Sequence, residues 1–397
     1  MARACQVLPA VVIVACFLLG LPCAFAQDAE RLDIIHGPYL QAVTESSATV
    51  VWFTNKNCVS RVEYAPADAP SDSNEVKTAV ASHHGLVDAN VMVHRVSLTG
   101  LKPGVEYRYR VVSREIVKFD PYEITFGDAI MEGPYRVQTW DPQKEGFSFC
   151  VVNDIHENAG RLDCLLNQVP LDTIDMVFLN GDMIDHWSRE NQPFDGFLDL
   201  CVRRFARETP LVYVRGNHET RGARARDLID SFPTPGGRYY YAFRHGPVSF
   251  LVLDTGEDKP DSNKEYSGLV DFDAYRAEQT QWLGRIVQDE WFRTARYRVV
   301  LMHMPPSTDA RAYGASQVHT LWSPILNEAR IDLVLCGHTH RLARIAPNEW
   351  GNHYPILINA PDMVVQVGVS ASRLEVTVKK ADGQIVDTTA VDPRSGD

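Results

Sequence analysis

The stretch 331–341, IDLVLCGHTHR, decides how the rest of the chain is interpreted. Its first half is an apolar run typical of a buried strand, and it ends in Gly337 followed by two histidines one residue apart. In an extended chain alternate side chains lie on the same side, so His338 and His340 can reach one site. These rings are either solvated loop residues or ligands that a site at the end of the strand requires.

Four other apolar runs also end in residues that can bind a metal ion. The residues at these ends are Asp154 and His156, then Asp182 and Asp185, then Asn217, His218 and Glu219, and finally His303. Sites in open α/β sheets form outside the carboxyl ends of the strands, so residues far apart in the sequence can converge there. Each block alone is weak evidence, because D-x-H and G-D pairs are common and a lone histidine is more often a core residue. All five together are hard to explain by coincidence, and they predict one shared metal site.

Length and composition predict a globular protein with two domains. The chain has 397 residues, of which 45% are hydrophobic and 23% are charged. Its formal net charge of −12 argues against a nucleic-acid-binding protein, which would rely on lysine and arginine to displace counterions. An anionic substrate is not excluded, because a bound metal ion can dominate the local field.

The first 26 residues have the features of a secretory signal peptide. Arg3 precedes an apolar run at 7–21, and Ala24 and Ala26 form an A-x-A cleavage pattern before Gln27. A membrane anchor is the alternative, but the run is shorter than the ~20 residues that a span needs. No later stretch is long and apolar enough to cross a bilayer. We therefore expect a secreted or periplasmic protein with no membrane span after cleavage of residues 1–26.

Two regions with different patterns follow the leader. Residues 34–140 contain short alternating strands separated by turn residues, which predicts an all-β sandwich. With Trp52 and Tyr107 at core positions, this region resembles a fibronectin type III domain. Residues 147–393 alternate apolar strands with helical patterns, which predicts an α/β domain. The β-rich tail of this second region should extend or double its sheet.

The remaining histidines and cysteines fit structural roles. Three histidines of the β region have no ligand-like neighbours and are expected to be solvated or packed; they are His83, His84 and His94. Cys150 and Cys336 lie in apolar runs and are expected to be small buried residues. Cys164 and Cys201 lie in two predicted helices, and the sequence leaves open whether they pair.

With the five blocks assembled, residues 147–365 resemble the calcineurin-like metallophosphoesterase superfamily. Together with the front domain, the chain looks most like the purple acid phosphatase branch. The resemblance implies a four-layer α/β/β/α sandwich behind a small all-β domain, and two transition-metal ions. It assigns Asp154, His156 and His340 to the first metal, Asn217, His303 and His338 to the second, and Asp182 to both. His218 would be a catalytic histidine rather than a ligand.

The sequence departs from purple acid phosphatases in two ways. That branch usually lacks a histidine at the position of His156, and it has a metal-ligating tyrosine where this chain has Asp185. The tyrosine gives the colour, so we expect a protein that is not purple. The metals are then iron, manganese or zinc, because a nitrogen and oxygen ligand set does not select strongly among them. Asp185 either pairs with His218 and keeps it protonated, as in related phosphatases, or is a solvated helix cap.

These residues predict a metal-dependent hydrolase of phosphate esters. A hydroxide shared by two cations would attack phosphorus in line, while His218 gives a proton to the leaving oxygen. Glu219 is expected to orient a ligand, whereas Arg221 and His186 lie near the blocks but are more often simply exposed. A phosphomonoesterase is favoured over a phosphodiesterase of the same fold. A surface-binding protein with a non-catalytic metal site is the alternative of a different class.

Overall fold

The computed structural model of the chain describes residues 31–70 and 75–393, and the predicted leader at 1–26 lies outside the described residues. The strands are β1 Ile34–Gln41, β2 Ser47–Pro66, β3 Lys77–Ala79, β4 Ser82–His83, β5 Leu86–Val87, β6 Val91–Thr99, β7 Glu106–Asp120, β8 Glu123–Gln138, β9 Phe147–Val152, β10 Met176–Asn180, β11 Leu211–Val214, β12 Tyr241–His245, β13 Val248–Leu253, β14 Tyr297–Met302, β15 Leu333–Cys336, β16 Ala343–Ile345, β17 Ile356–Ile358, β18 Met363–Val369, β19 Leu374–Lys380 and β20 Ile385–Val391.

The α-helices are α1 Ala159–Leu166, α2 Asp199–Cys201, α3 Leu228–Ser231, α4 Phe272–Ile286, α5 Glu290–Arg293 and α6 Tyr313–Glu328. Helix α2 lies between two π-helical turns, Phe194–Leu198 and Val202–Ala206. Short 3₁₀ turns occupy Leu171–Thr173, His218–Thr220, Ala225–Asp227, Pro235–Gly237 and Lys264–Tyr266. No helix among the described residues is both long and apolar enough to cross a membrane.

The long strand β2 is central to the all-β region at 34–140, called the front region below. Its first half pairs with β1 and β6, and its second half pairs with β3 and β7, with a register shift between Phe53 and Cys58. Trp52 is buried and donates its indole N–H to Ser113 of β7, which ties the two halves together (2.9 Å). Tyr107 is also buried, and its hydroxyl accepts the backbone N–H of Lys102 (3.0 Å). The front region is therefore all-β, with both residues at the predicted core positions.

The ends of β7 and β8 form a ribbon with an apolar surface. Val117, Phe119, Ile124 and Phe126 are all more than 40% exposed, and Tyr122 at the turn is fully exposed. The ribbon therefore adds little to the core, and none of these side chains belongs to the site described below.

Two six-stranded sheets build the rest of the protein. One has the order β11-β10-β9-β18-β19-β20 and the other has the order β12-β13-β14-β15-β17-β16. The strands β9, β10 and β11 run parallel, as do β13, β14 and β15. Phe149 and Phe178 of the first sheet pack against Phe250 of the second, with ring centroids 5.4 and 5.5 Å from it. The strands of the β-rich tail extend both sheets, since β18, β19 and β20 add to the first and β16 and β17 add to the second.

Helices cover the outer face of each sheet. Leu162 of α1 and Phe197 join the apolar cluster on the first sheet, whereas Leu283 of α4 and Trp322 of α6 join the cluster on the second. The α/β/β/α order of layers is therefore confirmed. The helical spacing of the sequence continues through Phe292, but α4 ends at Ile286 and α5 begins only at Glu290.

The front region packs directly on the two-sheet region, and from Leu32 onward the described residues form one compact unit. Tyr39 donates its hydroxyl to the carbonyl of Ser231, and Tyr109 donates to the carbonyl of Arg207, each at 2.6 Å. The domain boundaries 34–140 and 147–393 remain a prediction. Cys150 and Cys336 are buried as expected, and Cys164 and Cys201 are free thiols.

Candidate metal centre

The ends of β9 and β15 bring three predicted ligands together. His340 Nε2 lies 3.2 Å from Asp154 Oδ1, and His156 Nε2 lies 4.0 Å from the same oxygen. The two ring nitrogens are 3.2 Å apart. Three donor atoms from two segments that are far apart in sequence therefore converge within 4.8 Å of one another. The H-x-H and D-x-H blocks meet as the sequence predicted.

A second group lies beside the first, at the ends of β10, β11, β14 and β15. His303 Nε2 is 3.0 Å from Asp182 Oδ2 and 3.8 Å from Asp154 Oδ1, so His303 faces both aspartates. His338 Nδ1 lies 3.1 Å from Asn217 Oδ1. The donor atoms of Asp182, His303 and His338 also lie within 4.8 Å of one another. The structure thus brings together all seven residues that the sequence proposed as ligands.

The backbone of these turns is unusual. Asp154, His156, Asp182, His338 and His340 all have positive φ, between 49° and 71°. Non-glycine residues rarely adopt this conformation, and such strain concentrates at functional sites. The strand ends are therefore shaped to present side chains rather than to continue the sheet.

Gly337 is required for space rather than for flexibility. Its φ is not positive, but a Cβ at this position would lie 2.6 Å from Asp154 Oδ2. The backbone N–H of the next residue, His338, donates to that same oxygen (2.9 Å). The missing side chain lets the β15 turn approach the carboxylate of Asp154 closely.

Burial and charge act in opposite directions on the histidines. Burial alone would lower the pKa of His303, but the carboxylates of Asp182 and Asp154 outweigh it and raise the pKa to about 10. For His338, burial dominates and the charge of His303 adds to it, so its pKa falls to about 4. Burial would raise the pKa of Asp182, but His303 and His218 overcome it and lower that pKa. The carboxylates of Asp154 and Asp182 therefore place negative charge where a cation would be stabilised.

The arrangement of these atoms fits metal ions. Asp154 Oδ1 and His303 Nε2 are buried and have no well-aligned hydrogen-bond partner, although each has polar atoms close by. His303 donates its other nitrogen, Nδ1, to the carbonyl of Asn180 (2.8 Å), which leaves Nε2 directed at the aspartates. Buried polar atoms that converge without well-aligned partners are what a bound cation would require. Imidazole, carboxylate and amide oxygen suit iron, manganese or zinc.

His218 lies at the edge of this cluster, beside Asp185. Its Nδ1 donates to the backbone carbonyl of Asp185 (2.9 Å), whereas the Asp185 carboxylate is 4.0 Å away. That carboxylate instead lies 2.7 Å from His156 Nδ1. The Asp185 carboxylate thus lies within ion-pair distance of His218 while making its shortest contact with His156, so its role toward His218 stays a prediction. The alternative, a helix cap, was wrong, because no helix begins at Asp185. The main chain of Asp185 fixes the ring of His218.

Glu219 supports the turn that carries Asp182. Its buried carboxylate accepts the backbone N–H groups of Asp182 (3.0 Å), Met183 (2.7 Å) and Gly216 (2.9 Å). The hydroxyl of Tyr213 also donates to it (2.9 Å). Burial and the nearby charge of Asp182 raise the pKa of Glu219. The prediction that Glu219 orients a ligand agrees with these contacts.

Glu257 is a part of the site that the sequence blocks did not predict. It follows β13, is almost fully buried, and accepts from Nε and Nη2 of Arg221 at 2.9 Å each. Arg221 is only partly exposed, and its Nη1 lies 3.1 Å from His218 Nε2. His186, the other residue considered as a substrate contact, is exposed. The β13 run also ends in acidic residues, Asp254 and Glu257, so the same strand-end argument would have found it.

Comparisons with known proteins agree with this geometry. Residues 147–342 match the calcineurin-like phosphoesterase family, and residues 37–125 match the N-terminal domain of purple acid phosphatases. Probable purple acid phosphatase 20 of Arabidopsis thaliana is 20% identical over 395 residues, covering 90% of this chain and 83% of that protein. Serine/threonine-protein phosphatase CPPED1 of Bos taurus is 28% identical over 200 residues, covering 47% of this chain and 57% of that one.

The fold also matches a solved structure. The purple acid phosphatase PPD1 from yellow lupin (Lupinus luteus) seeds superposes with a TM-score of 0.65 at 14% identity, covering 89% of this chain and 74% of that chain. Such a fold implies a centre for two metal ions, and the convergent Asp and His side chains are in place for one. The chain is therefore a metal-dependent phosphoesterase homologous to purple acid phosphatases, with a calcineurin-like phosphoesterase domain behind a purple acid phosphatase N-terminal domain.

Proposed function

We propose that this protein is an exported phosphomonoesterase that uses two transition-metal ions. Asp154, His156 and His340 would hold the first ion, Asn217, His303 and His338 would hold the second, and Asp182 would be available to both. The observation that carries the proposal is the convergence of these side chains from five strand ends around buried atoms that lack aligned partners. A cluster of this kind has no packing purpose of its own.

The residues divide the work of hydrolysis among them. When bound, a pair of metal ions supplies charge neutralisation for a phosphate ester and a water of lowered pKa. Asn217 contributes a neutral oxygen, which limits the negative charge near the substrate. Glu219 holds the turn that carries Asp182 through the contacts described above. Asp185 orients the ring of His156 through a contact of 2.7 Å.

His218 is placed to transfer a proton to the leaving oxygen. Its Nδ1 donates to the Asp185 carbonyl, so the ring orientation is fixed and Nε2 faces the site. That nitrogen lies 3.9 Å from Asp182 Oδ2, beside the cluster and outside the set of ligands. A positioned acid of this kind typically contributes about 100- to 10,000-fold to the rate of ester cleavage.

The names of the relatives favour a monoesterase. Two alternatives, a phosphodiesterase and a surface-binding protein, can be distinguished from it by experiment. The names of the Arabidopsis and bovine proteins both describe phosphatases. A phosphodiesterase of the same fold would use the same residues and differ in the ester it prefers. A surface-binding protein with a non-catalytic metal site would bind metal without turnover.

Export and colour are parts of the same proposal. The signal-peptide pattern at 1–26 supports a secreted or periplasmic location, which the size of the mature protein and the fraction that contains it would test. Asp185 occupies the position of the colour-giving tyrosine, so the iron-loaded protein should lack a strong visible absorption band.

The decisive experiment measures hydrolysis after reconstitution with iron, manganese or zinc. The proposal expects faster turnover of para-nitrophenyl phosphate than of its bis-ester, and loss of activity when a chelator removes the metal. Preference for the bis-ester would support the phosphodiesterase instead. Two bound ions without hydrolysis of either ester would contradict both enzymes and favour the binding protein.

A further inference from the structure

We propose that Arg221 is the residue that selects monoesters, by donating a hydrogen bond from Nη1 to a phosphoryl oxygen that a diester does not offer. This inference rests on the proposed function, because it concerns the substrate class of the same site. It goes beyond the ligand set and the acid, since Arg221 is neither.

The guanidinium of Arg221 is held rigidly by one carboxylate. Glu257 accepts from Nε and from Nη2, so two edges of the planar group are used. Glu257 is in turn fixed by donors from the hydroxyls of Thr220 (2.9 Å) and Tyr266 (3.0 Å). Asp258 Oδ1 lies 3.6 Å from Nη2. A guanidinium fixed in this way loses little freedom when it binds a further acceptor.

The remaining nitrogen, Nη1, faces the site. It lies 3.1 Å from His218 Nε2, which is itself beside Asp182. Nη1 carries two protons, and His218 accepts neither of them while its Nε2 holds the proton that the acid role requires, so both are available to a ligand. A purely structural arginine would be expected to direct its last nitrogen to a carbonyl or to bulk water. Arg221 instead directs Nη1 to within 3.1 Å of His218 Nε2, on the side of the site where the phosphate ester would lie.

The two ester classes differ in the oxygens that they present. A monoester has three non-bridging oxygens on phosphorus and a charge near −2, whereas a diester has two and a charge of −1. If two oxygens are taken by the metal ions, only the monoester retains a third for Arg221. In a diester the second ester arm occupies that position and offers a weaker acceptor. Arg221 therefore adds binding energy for one class alone.

The test compares Arg221→Gln with the wild type on para-nitrophenyl phosphate and its bis-ester. We expect kcat/KM for the monoester to fall about 10- to 100-fold, the loss typical of one charge-assisted hydrogen bond. The bis-ester should lose less than about threefold, so the ratio of the two values falls. As a readout that needs no turnover, calorimetry should show a similar loss in affinity for inorganic phosphate.

Three controls show whether the loss belongs to the hydrogen bond from Nη1. Arg136→Gln breaks an exposed arginine–carboxylate pair on the front region, with Glu106 at 3.2 Å, and should change the hydrolysis of neither ester. Arg221→Lys keeps the charge and should recover part of the phosphate affinity. Metal content and the melting temperature confirm that each variant is loaded and folded.

The outcomes distinguish the two proposals. Equal losses on both esters, or unchanged phosphate affinity, in Arg221→Gln with two ions bound would overturn the role of Arg221 and leave the proposed function standing. A metal-loaded wild type that hydrolyses neither ester would overturn the proposed function itself.

Discussion

Two buried histidines show how the front region differs from the candidate metal centre. His94 of β6 packs against Trp52, with ring centroids 5.1 Å apart, and its Nε2 lies 2.9 Å from the hydroxyl of Thr54. Burial, helped by the charge of Arg95, lowers the pKa of His94 to about 4. His303 is buried as deeply, but Asp182 and Asp154 raise its pKa to about 10.

The difference lies in the partners and not in the depth of burial. A hydroxyl partner leaves the imidazole of His94 neutral, so this residue serves packing alone. The imidazole of His303 faces two carboxylates, and its protonated form balances their negative charge. A bound metal ion would balance the same charge in its place. Among buried histidines, the nearby carboxylates therefore identify the ones that belong to the site.

His218→Asn should have the largest effect on the rate of hydrolysis, and it tests the proposed acid of the candidate metal centre. Removing the proton donor should slow hydrolysis of an alkyl phosphate by about 100- to 10,000-fold, because its leaving oxygen needs protonation. The nitrophenolate of para-nitrophenyl phosphate leaves without help, so the loss there should be much smaller. Steady-state rates on the two esters measure this, and equal losses would remove His218 from the acid role.

Asp185→Asn is the matched variant for that result. The main-chain carbonyl that holds His218 is unchanged, while the carboxylate that contacts His156 is lost. We expect a loss that is the same for both esters. A loss concentrated on the alkyl ester would mean that the carboxylate does serve His218.

His94→Gln tests the structural histidine through the pH dependence of stability. The folded pKa of about 4 lies below the usual value of 6.5, so the unfolded chain binds more protons between these pH values. The stabilisation is complete above pH 6.5 and is lost as the pH falls to about 4, by on the order of 3 kcal/mol. Urea unfolding at pH 7 and pH 4 should show a smaller difference for the variant than for the wild type.

The control for this experiment is His83→Gln, which removes an exposed imidazole of the same region that lies 2.9 Å from Asp88. An equal flattening in His83→Gln, or an unchanged slope in His94→Gln, would contradict the assignment of the pH dependence to His94.

Glu219→Gln should have the smallest effect among the variants of the candidate metal centre, and the effect should be on metal affinity. The amide keeps one acceptor oxygen but places an NH₂ group against backbone donors, so the turn that carries Asp182 loses support. Loss of such an outer contact typically weakens metal binding about 10- to 100-fold. Competition with a metal-binding dye measures the affinity, with Tyr213→Phe as the milder variant. Unchanged affinity in Glu219→Gln would show that the turn holds Asp182 without this carboxylate.

Much of the fold and the whole set of candidate ligands could be predicted from the sequence. The pattern of apolar runs followed by Asp, Asn or His is local, and the rule that sites form at carboxyl ends of strands supplies the convergence. The core positions of Trp52 and Tyr107 followed from the resemblance of the front region to a fibronectin type III domain.

Other features depend on tertiary contacts that no local pattern reveals. The choice of the Asp185 main chain over its carboxylate depends on where His156 lies, and the need for Gly337 depends on the approach of Asp154. The break between α4 and α5 interrupts a sequence whose helical spacing continues. The position of Glu257 after a strand end is visible in the sequence, but its contact with Arg221 is not.

The measurement that tests the central claim most directly is the metal content of the purified, metal-replete protein, compared with Asp182→Asn. The account predicts about two transition-metal ions per chain in the wild type. It also predicts fewer in the variant, because the shared carboxylate is lost. A wild type that binds no transition metal, or a variant that retains both ions with unchanged affinity, would contradict it.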